Sequence, residues 1–316
     1  MTFDIVTVGA PLVEVMRKER DKDFNVPGEF LGPFPSGDTP IFINAAAKLG
    51  NRCGFIGVVG NDGFGRCFTE RLEESGVDTS RVRHVNGVST AVTFIAYFGD
   101  GSRKFLYHLH NAAAGLFSPE DVDAEYLQDV RWVHLTGFAL SGSKSSREAA
   151  LKIIDIVPKS TRISFDPNIR KEALGVEELR RVAAPVLERA CLVLPSTNEA
   201  KEFMNTETDD EACRRLRAMD KLVVNKMGKS GCRIYSDEGV LSVPPFEVEE
   251  VDPTGAGDTF CAGFLTGLLG RKSLYECGLI ANAAGALSIT KWGPMEGAAT
   301  MDEVERLIRS QSPRRA

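Results

Sequence analysis

The chain has 316 residues, room for one large α/β domain or two smaller ones at about 150 residues per domain. Hydrophobic residues make up 43% and charged residues 26%, which excludes a disordered, collagen-like or disulfide-stapled chain. Lys and Arg number 38 against 44 Asp and Glu, so the net charge of −6 offers no basic field for nucleic acid, and a small molecule is the expected ligand. The seven cysteines are scattered and never form a CxxC pair, the pattern of free thiols in a reducing cytoplasm. No apolar run approaches the roughly 18 residues of a membrane span, and the N-terminus enters an apolar strand without a basic leader.

Residues 3–9 are a short apolar run ending in glycine, which predicts a buried parallel strand. A Gly- and Pro-rich loop follows, then a helix over 41–49 stopped by Gly50, a strand over 53–60 and an amphipathic helix over 64–75. Between 81 and 109 the pattern changes to the alternating runs AVTFIAYF and RKFLYHL around Gly99-Asp100-Gly101, which predicts an antiparallel hairpin. From Trp132 strands and helices alternate again, through WVHLTG, RISFDP, CLVLP and KLVVNK, two short β runs at 232–236 and 240–243, and a helical block over 257–309. The expected fold is a doubly wound, mostly parallel sheet flanked by helices, formed by residues 1–10, 36–80 and 112–316. Residues 11–35 and 81–111 are expected to form a small β lid, and the basic end from Gln311 a solvated tail.

Several motifs fail. Gly228-Lys229-Ser230 resembles the end of a Walker A loop, but Val223 stands where its first glycine is needed. The glycines of residues 60–65 are in the wrong order for a dinucleotide fingerprint, and no G-x-S-x-G elbow exists. His108 and His110 share one face of a strand without a third ligand, which favours structural or substrate-facing roles over metal.

One segment carries chemistry. In Asp252-Pro253-Thr254-Gly255-Ala256-Gly257-Asp258, directly before an apolar helix, the glycines let the backbone approach an anion, and the amides of 255–258 open a helix whose N-terminus favours phosphate. Asp258 in the first turn is placed to deprotonate a hydroxyl while those amides stabilise a transferring phosphoryl group. Spacing alone equally allows a glycine-rich turn whose aspartate complements the helix dipole.

The segment resembles the C-terminal signature of the PfkB, or ribokinase-like, carbohydrate kinases, and the likeness extends over almost the whole chain. Ser36-Gly37-Asp38-Thr39-Pro40 through Leu49-Gly50 is similar to the N-terminal block, Asp166-Pro167-Asn168-Ile169-Arg170 to D-x-N-x-R, residues 195–200 to P-N-x-x-E-A, Lys226-Met227-Gly228-x-x-Gly231 to K-x-G-x-x-G, and Asn282-Ala283-Ala284 to the N-A-A helix beside adenine. The resemblance implies a ribokinase-like fold and an ATP- and Mg2+-dependent sugar kinase, with Asp258 as base and Gly255, Ala256 and Gly257 as anion-hole amides. It implies that Glu199 helps hold Mg2+ through water, and that Lys226, Gly228, Gly231, Thr254 and Asn282 line the ATP. Glu14, Gly37, Asp38, Asn168 and Arg170 would face the sugar.

Three departures stand out: Ser36 for a glycine with Ile41 for the helix asparagine, Ser196 for the asparagine of N-x-x-E, and His108 where keto-acid kinases carry a lid arginine. The favoured acceptor is a keto sugar or keto-sugar acid such as 2-keto-3-deoxygluconate, with Arg170 able to serve its carboxylate and His108 facing the substrate. Fructose is the close alternative, and a catalytically silent sugar or nucleotide sensor the alternative of another class. Lids of such kinases pair across dimers, so a homodimer is expected.

Overall fold

Two sheets organise the computed structural model, which describes residues 2–109 and 111–311. The chain begins with β1 (Phe3–Val8), β2 (Leu12–Arg17), β3 (Phe30–Ser36), α1 (Asp38–Lys48), β4 (Cys53–Gly60), α2 (Gly63–Glu74), β5 (Val77–Val85), β6 (Ala91–Tyr97) and β7 (Arg103–His108). It continues with β8 (Val130–Thr136), α3 (Gly137–Leu140), α4 (Lys144–Ile156), β9 (Arg162–Asp166), α5 (Val176–Arg189), β10 (Leu192–Val193), α6 (Glu199–Met204) and α7 (Asp209–Arg217). The last elements are β11 (Leu222–Lys226), β12 (Cys232–Ser236), β13 (Gly239–Val243), α8 (Ala256–Leu269), α9 (Leu274–Ser288) and α10 (Met301–Gln311).

The large sheet has the order β13-β12-β11-β10-β9-β8-β1-β4-β5, parallel from β5 to β11 and antiparallel at the β12 and β13 edge. Its strands are nearly continuous hydrophobic runs because helices cover both faces. On one face α1, α8 and α9 pack Phe42, Phe264 and Ala281 against Phe55 and Val224; on the other α4, α5 and α7 pack Ile153, Val186 and Leu216 against Val133 and Phe165. Strand order reverses beside β1, and in such sheets the crevice at the strands' carboxyl ends is where ligands bind.

The small sheet has the order β3-β2-β6-β7 and covers that crevice. Its hairpin β6–β7 is antiparallel as expected, but the central pair β2–β6 is parallel, because the two strands arrive from separate excursions of the chain. The expected lid boundary at residue 81 also shifts. β5 pairs in parallel with β4 as far as Val85, so residues 81–85 belong to the large sheet and the lid strands of this excursion begin at Ala91. Helix α1 starts at Asp38 rather than 41, because Gly37, at φ 114°, turns the chain and Pro40 falls in the first turn, where a missing N–H costs nothing. Asp62 caps α2 by accepting from the Gly65 amide at 2.8 Å, and also holds the Thr90 amide at 2.8 Å, which explains its place between the glycines. His110 and the tail from residue 312 lie outside the described residues.

Candidate active site

A cavity of about 470 Å³ lies between the strand ends and the lid, with the start of α8 as its floor. Gly255 precedes α8 at φ 79°, and a Cβ there would stand 2.8 Å from Ile41 Cγ2 and 2.9 Å from the Pro294 carbonyl, so only glycine fits. Ile41, where a family asparagine was expected, packs against this turn and presents an apolar side chain to the cavity lining. The residues that follow, Ala256, Gly257 and Asp258, also line the cavity, at the helix end where N–H groups have no partner within the helix.

Asp258 shares this floor with a buried ion pair, Lys226 from the end of β11 and Asp166 from the end of β9. Burial holds the Asp258 carboxyl well above its ordinary range, the Asp38 and Asp166 charges push the same way, and Lys226 and Arg170 oppose them. A general base works best when its proton affinity lies near the working pH, and burial moves this carboxyl in that direction. For Lys226, burial works against the charge, but the Asp166 carboxylate outweighs it and keeps the ammonium protonated. The lysine therefore belongs to the floor beneath the reacting groups, near Gly257, where a Cβ would lie 3.7 Å from its Nζ.

The sugar side is built on hydrogen bonds that preset each group. Asn168, in the left-handed region at φ 32°, donates from Nδ2 to Asp38 Oδ2 at 2.8 Å, leaving both side chains on the cavity wall. A Cβ on Gly37 would stand 2.7 Å from the Ala10 carbonyl, which accounts for glycine there. Ser36, the departure from the glycine pair, donates its hydroxyl to Glu14 Oε1 at 2.7 Å. Glu14 Oε2 is buried without a partner, and burial lifts this carboxyl to about 7.

Strand alternation decides the lid's contribution. Arg103, Phe105 and Tyr107 on β7 line the cavity, together with Thr93 opposite Tyr107 on β6. His108 falls on the other face, exposed and edge-on to Phe94 at 5.8 Å, so its expected role facing the substrate is not met. The arginine of the lid that lines the cavity is Arg103. The period-two pattern of RKFLYHL could have shown this, since Arg103, Phe105 and Tyr107 share one face and His108 cannot join them.

Glu199 also lines the cavity, and its two oxygens each accept one backbone amide, Ile169 N at 3.0 Å and Ser196 N at 2.9 Å. Thr254 lines it as well, whereas Gly228, Gly231 and Asn282 do not. Asn282 spends its amide on the carbonyls of Val243 (3.3 Å) and Pro244 (2.9 Å), and a Cβ on Gly231 would stand 2.1 Å from the same Val243 carbonyl. These two residues shape the loop after β13, beyond the floor lysine, rather than presenting polar groups to the cavity.

The arrangement of a base, a helix N-terminus and a lidded polar cavity is one that can transfer a phosphoryl group to an enclosed alcohol. Residues 37–301 match the model of the pfkB family carbohydrate kinases. The chain is similar to maize fructokinase-1, at 31% identity over 84% of this chain and 85% of that protein. It is also similar to the 5-dehydro-2-deoxygluconokinase of Clostridium botulinum, at 26% identity over 98% of this chain and 94% of that one. Among solved structures, an E. coli protein provisionally described as a ribokinase II, in complex with ATP and Mg2+, superposes with a TM-score of 0.92 at 36% identity, covering 98% of this chain and all of that one. The ribokinase-like expectation is met, and the chain belongs to the PfkB family of carbohydrate kinases.

Proposed function

We propose that this kinase transfers the γ-phosphoryl group of ATP to a keto sugar or keto-sugar acid, with 2-keto-3-deoxygluconate favoured over fructose. The observation that carries the acid is a pair of guanidinium groups, Arg103 on the lid and Arg170 after β9, which line the cavity and have no carboxylate within salt-bridge distance among the described residues. Two unpaired guanidiniums on one polar cavity match a ligand carboxylate. The names of the similar proteins, fructokinases and a 5-dehydro-2-deoxygluconokinase, support the same range of acceptors.

In this reading Glu14, Asp38 and Asn168 bind sugar hydroxyls and orient one of them toward Asp258. Asp258 takes the hydroxyl proton as the oxygen bonds to the γ-phosphorus, and the bond to the β-phosphate oxygen breaks to release ADP. The amides at the start of α8 stabilise the charge on the transferring group. Among the described residues no three His, Cys, Asp or Glu side chains could cage a cation. Glu199 with its oxygens fixed by amides fits an ion that keeps its waters and rides on the phosphates. Mg2+ bound there would neutralise phosphate charge.

A coupled ADP-release assay with Mg–ATP tests the reading across 2-keto-3-deoxygluconate, 2-keto-3-deoxygalactonate, fructose, tagatose and ribose. Higher kcat/KM for the acids is expected; preference for fructose refutes the acid and leaves a fructokinase. We also infer a homodimer through the outer face of the lid, where Leu106 is 44% and Phe30 40% exposed. Light scattering in solution tests it. Free thiols are consistent with a reducing cytoplasm as the compartment, and among the described residues no helix is long and apolar enough to cross a membrane.

A further inference from the structure

Strand β6 ends in Tyr97, whose side chain leaves the lid sheet and enters the main domain. The residue is 7% exposed, its hydroxyl donates to Asp252 Oδ1 at 3.0 Å, and it lies 3.3 Å from Thr254 Oγ1. Asp252 is fully buried and closes its own loop in two directions. Oδ1 also accepts the Thr254 amide at 3.0 Å, and Oδ2 accepts the Gly293 amide at 3.0 Å. With the tyrosine's single proton on Asp252, the threonine hydroxyl donates back to the tyrosine oxygen. Tyr97, Asp252 and Thr254 thus form a closed ring of hydrogen bonds immediately before Gly255.

A second route leads to the same place. The Tyr97 ring stands edge-on to Trp292 with centroids 5.6 Å apart, in a cluster with Met16, Ile95 and Phe34 from the lid strands. Two residues after Trp292, the Pro294 carbonyl is one of the atoms that press against Gly255. The lid therefore touches the turn that opens α8 from two sides, through Asp252 and through residues 292–294. Neither Tyr97 nor Asp252 lines the cavity, so neither acts by touching substrate.

We propose that Tyr97 is a positioning residue that makes the geometry of the anion hole depend on a seated lid. While β6 is docked, the ring holds residues 252–255 so that the first amides of α8 face the phosphoryl group. When the lid lifts, the ring opens and the loop loses that restraint, so transfer is coupled to enclosure of the acceptor and water is a poor substitute. The inference rests on the kinase activity but not on the identity of the acceptor.

Tyr97→Phe in the full chain keeps the ring against Trp292 and removes only the hydroxyl. Hydrogen exchange of the ligand-free protein is expected to quicken about tenfold in peptides spanning 252–260 and to stay unchanged in β8, the loss expected when one buried hydrogen bond is removed. With Mg–ATP and the sugar that the wild type converts in the panel above, kcat is expected to fall about tenfold while the acceptor KM stays within about twofold. Thr254→Val breaks the ring from its other side, and the double variant is expected to be no worse than the poorer single one. A uniform rise in exchange, or an unchanged kcat with a lowered Tm, would show that Tyr97 only packs and would overturn the proposal. If no sugar in the panel turns over, the exchange experiment decides alone, and its outcome is independent of the acceptor assignment.

Discussion

Glu14→Gln tests the electrostatics of the sugar wall by a stability difference that must change with pH. Glu14 is 7% exposed, one of its oxygens has no partner, and burial raises its carboxyl from the 4.5 of an exposed glutamate to about 7. The hydrogen bond from Ser36 works against this rise, the Asp252 charge adds to it, and Arg103 and Arg170 oppose it more weakly. A rise of about 2.5 pH units corresponds to about 3 kcal/mol at 1.36 kcal/mol per unit. Because the folded state holds this proton more tightly than the unfolded chain, the stabilisation is complete below about pH 4.5, declines as pH rises to 7, and is absent above that.

Glutamine keeps an oxygen for Ser36 and carries no charge at any pH, so the cost of its unpaired NH2 is the same throughout the range. Urea denaturation of both proteins between about pH 5 and pH 8.5 should therefore show the variant gaining about 2–3 kcal/mol relative to the wild type as pH rises. In activity assays the acceptor KM should rise if, as proposed, Glu14 binds sugar hydroxyls. A stability difference that is flat with pH would refute the burial argument, whatever its absolute size.

Asp258→Asn should lower kcat by about 10²–10⁴-fold with little change in ATP affinity, because it removes the proposed base and leaves the amide cradle. Since burial raises the Asp258 carboxyl, wild-type kcat/KM should fall with decreasing pH already above the usual carboxylate range, and the asparagine variant should be the more stable protein at neutral pH; an acid limb at ordinary carboxylate pH would count against this placement. Arg103→Ala should shift the preference between acid and neutral sugars, whereas His108→Ala, on the outer face, should leave it unchanged; the reverse result would refute the strand register assigned to β7. Lys226→Met leaves Asp166 charged and unpaired at the cavity floor, so unfolding should cost about 3–5 kcal/mol less. A loss below about 1 kcal/mol would mean that the pair adds little.

Local patterning made much of this molecule legible. The glycine- and aspartate-bearing segment before α8 predicts its own geometry, because an N–H-rich helix start and a left-handed glycine are properties of a few consecutive residues. Strand β4 appears with the expected bounds because an eight-residue run of five apolar side chains and three glycines, without a polar residue, leaves few alternatives. Lid membership was less legible. Residues 81–85 look like the hairpin that follows, and only pairing with β4, set by the packing of α2, places them in the large sheet. Lys226 and Asn282 carried motif positions, but what each can offer a ligand depends on what else takes its polar group: Asp166 for the lysine, which still lines the cavity, and two backbone carbonyls for the asparagine, which does not.

What the sequence by itself determined is the left-handed glycine and helix start before α8, the α/β class and the family, since each follows from runs of residues adjacent in the chain. What only the tertiary structure decided is which distant side chains share one space: Arg103 rather than His108 on the cavity, Ser36 against Glu14, and Tyr97 on Asp252. The physical reason is that such contacts join residues far apart in the chain, brought together by strand pairing and by the docking of the lid on the main domain; alternation along β7 says which residues share a face, but not which face meets the cavity.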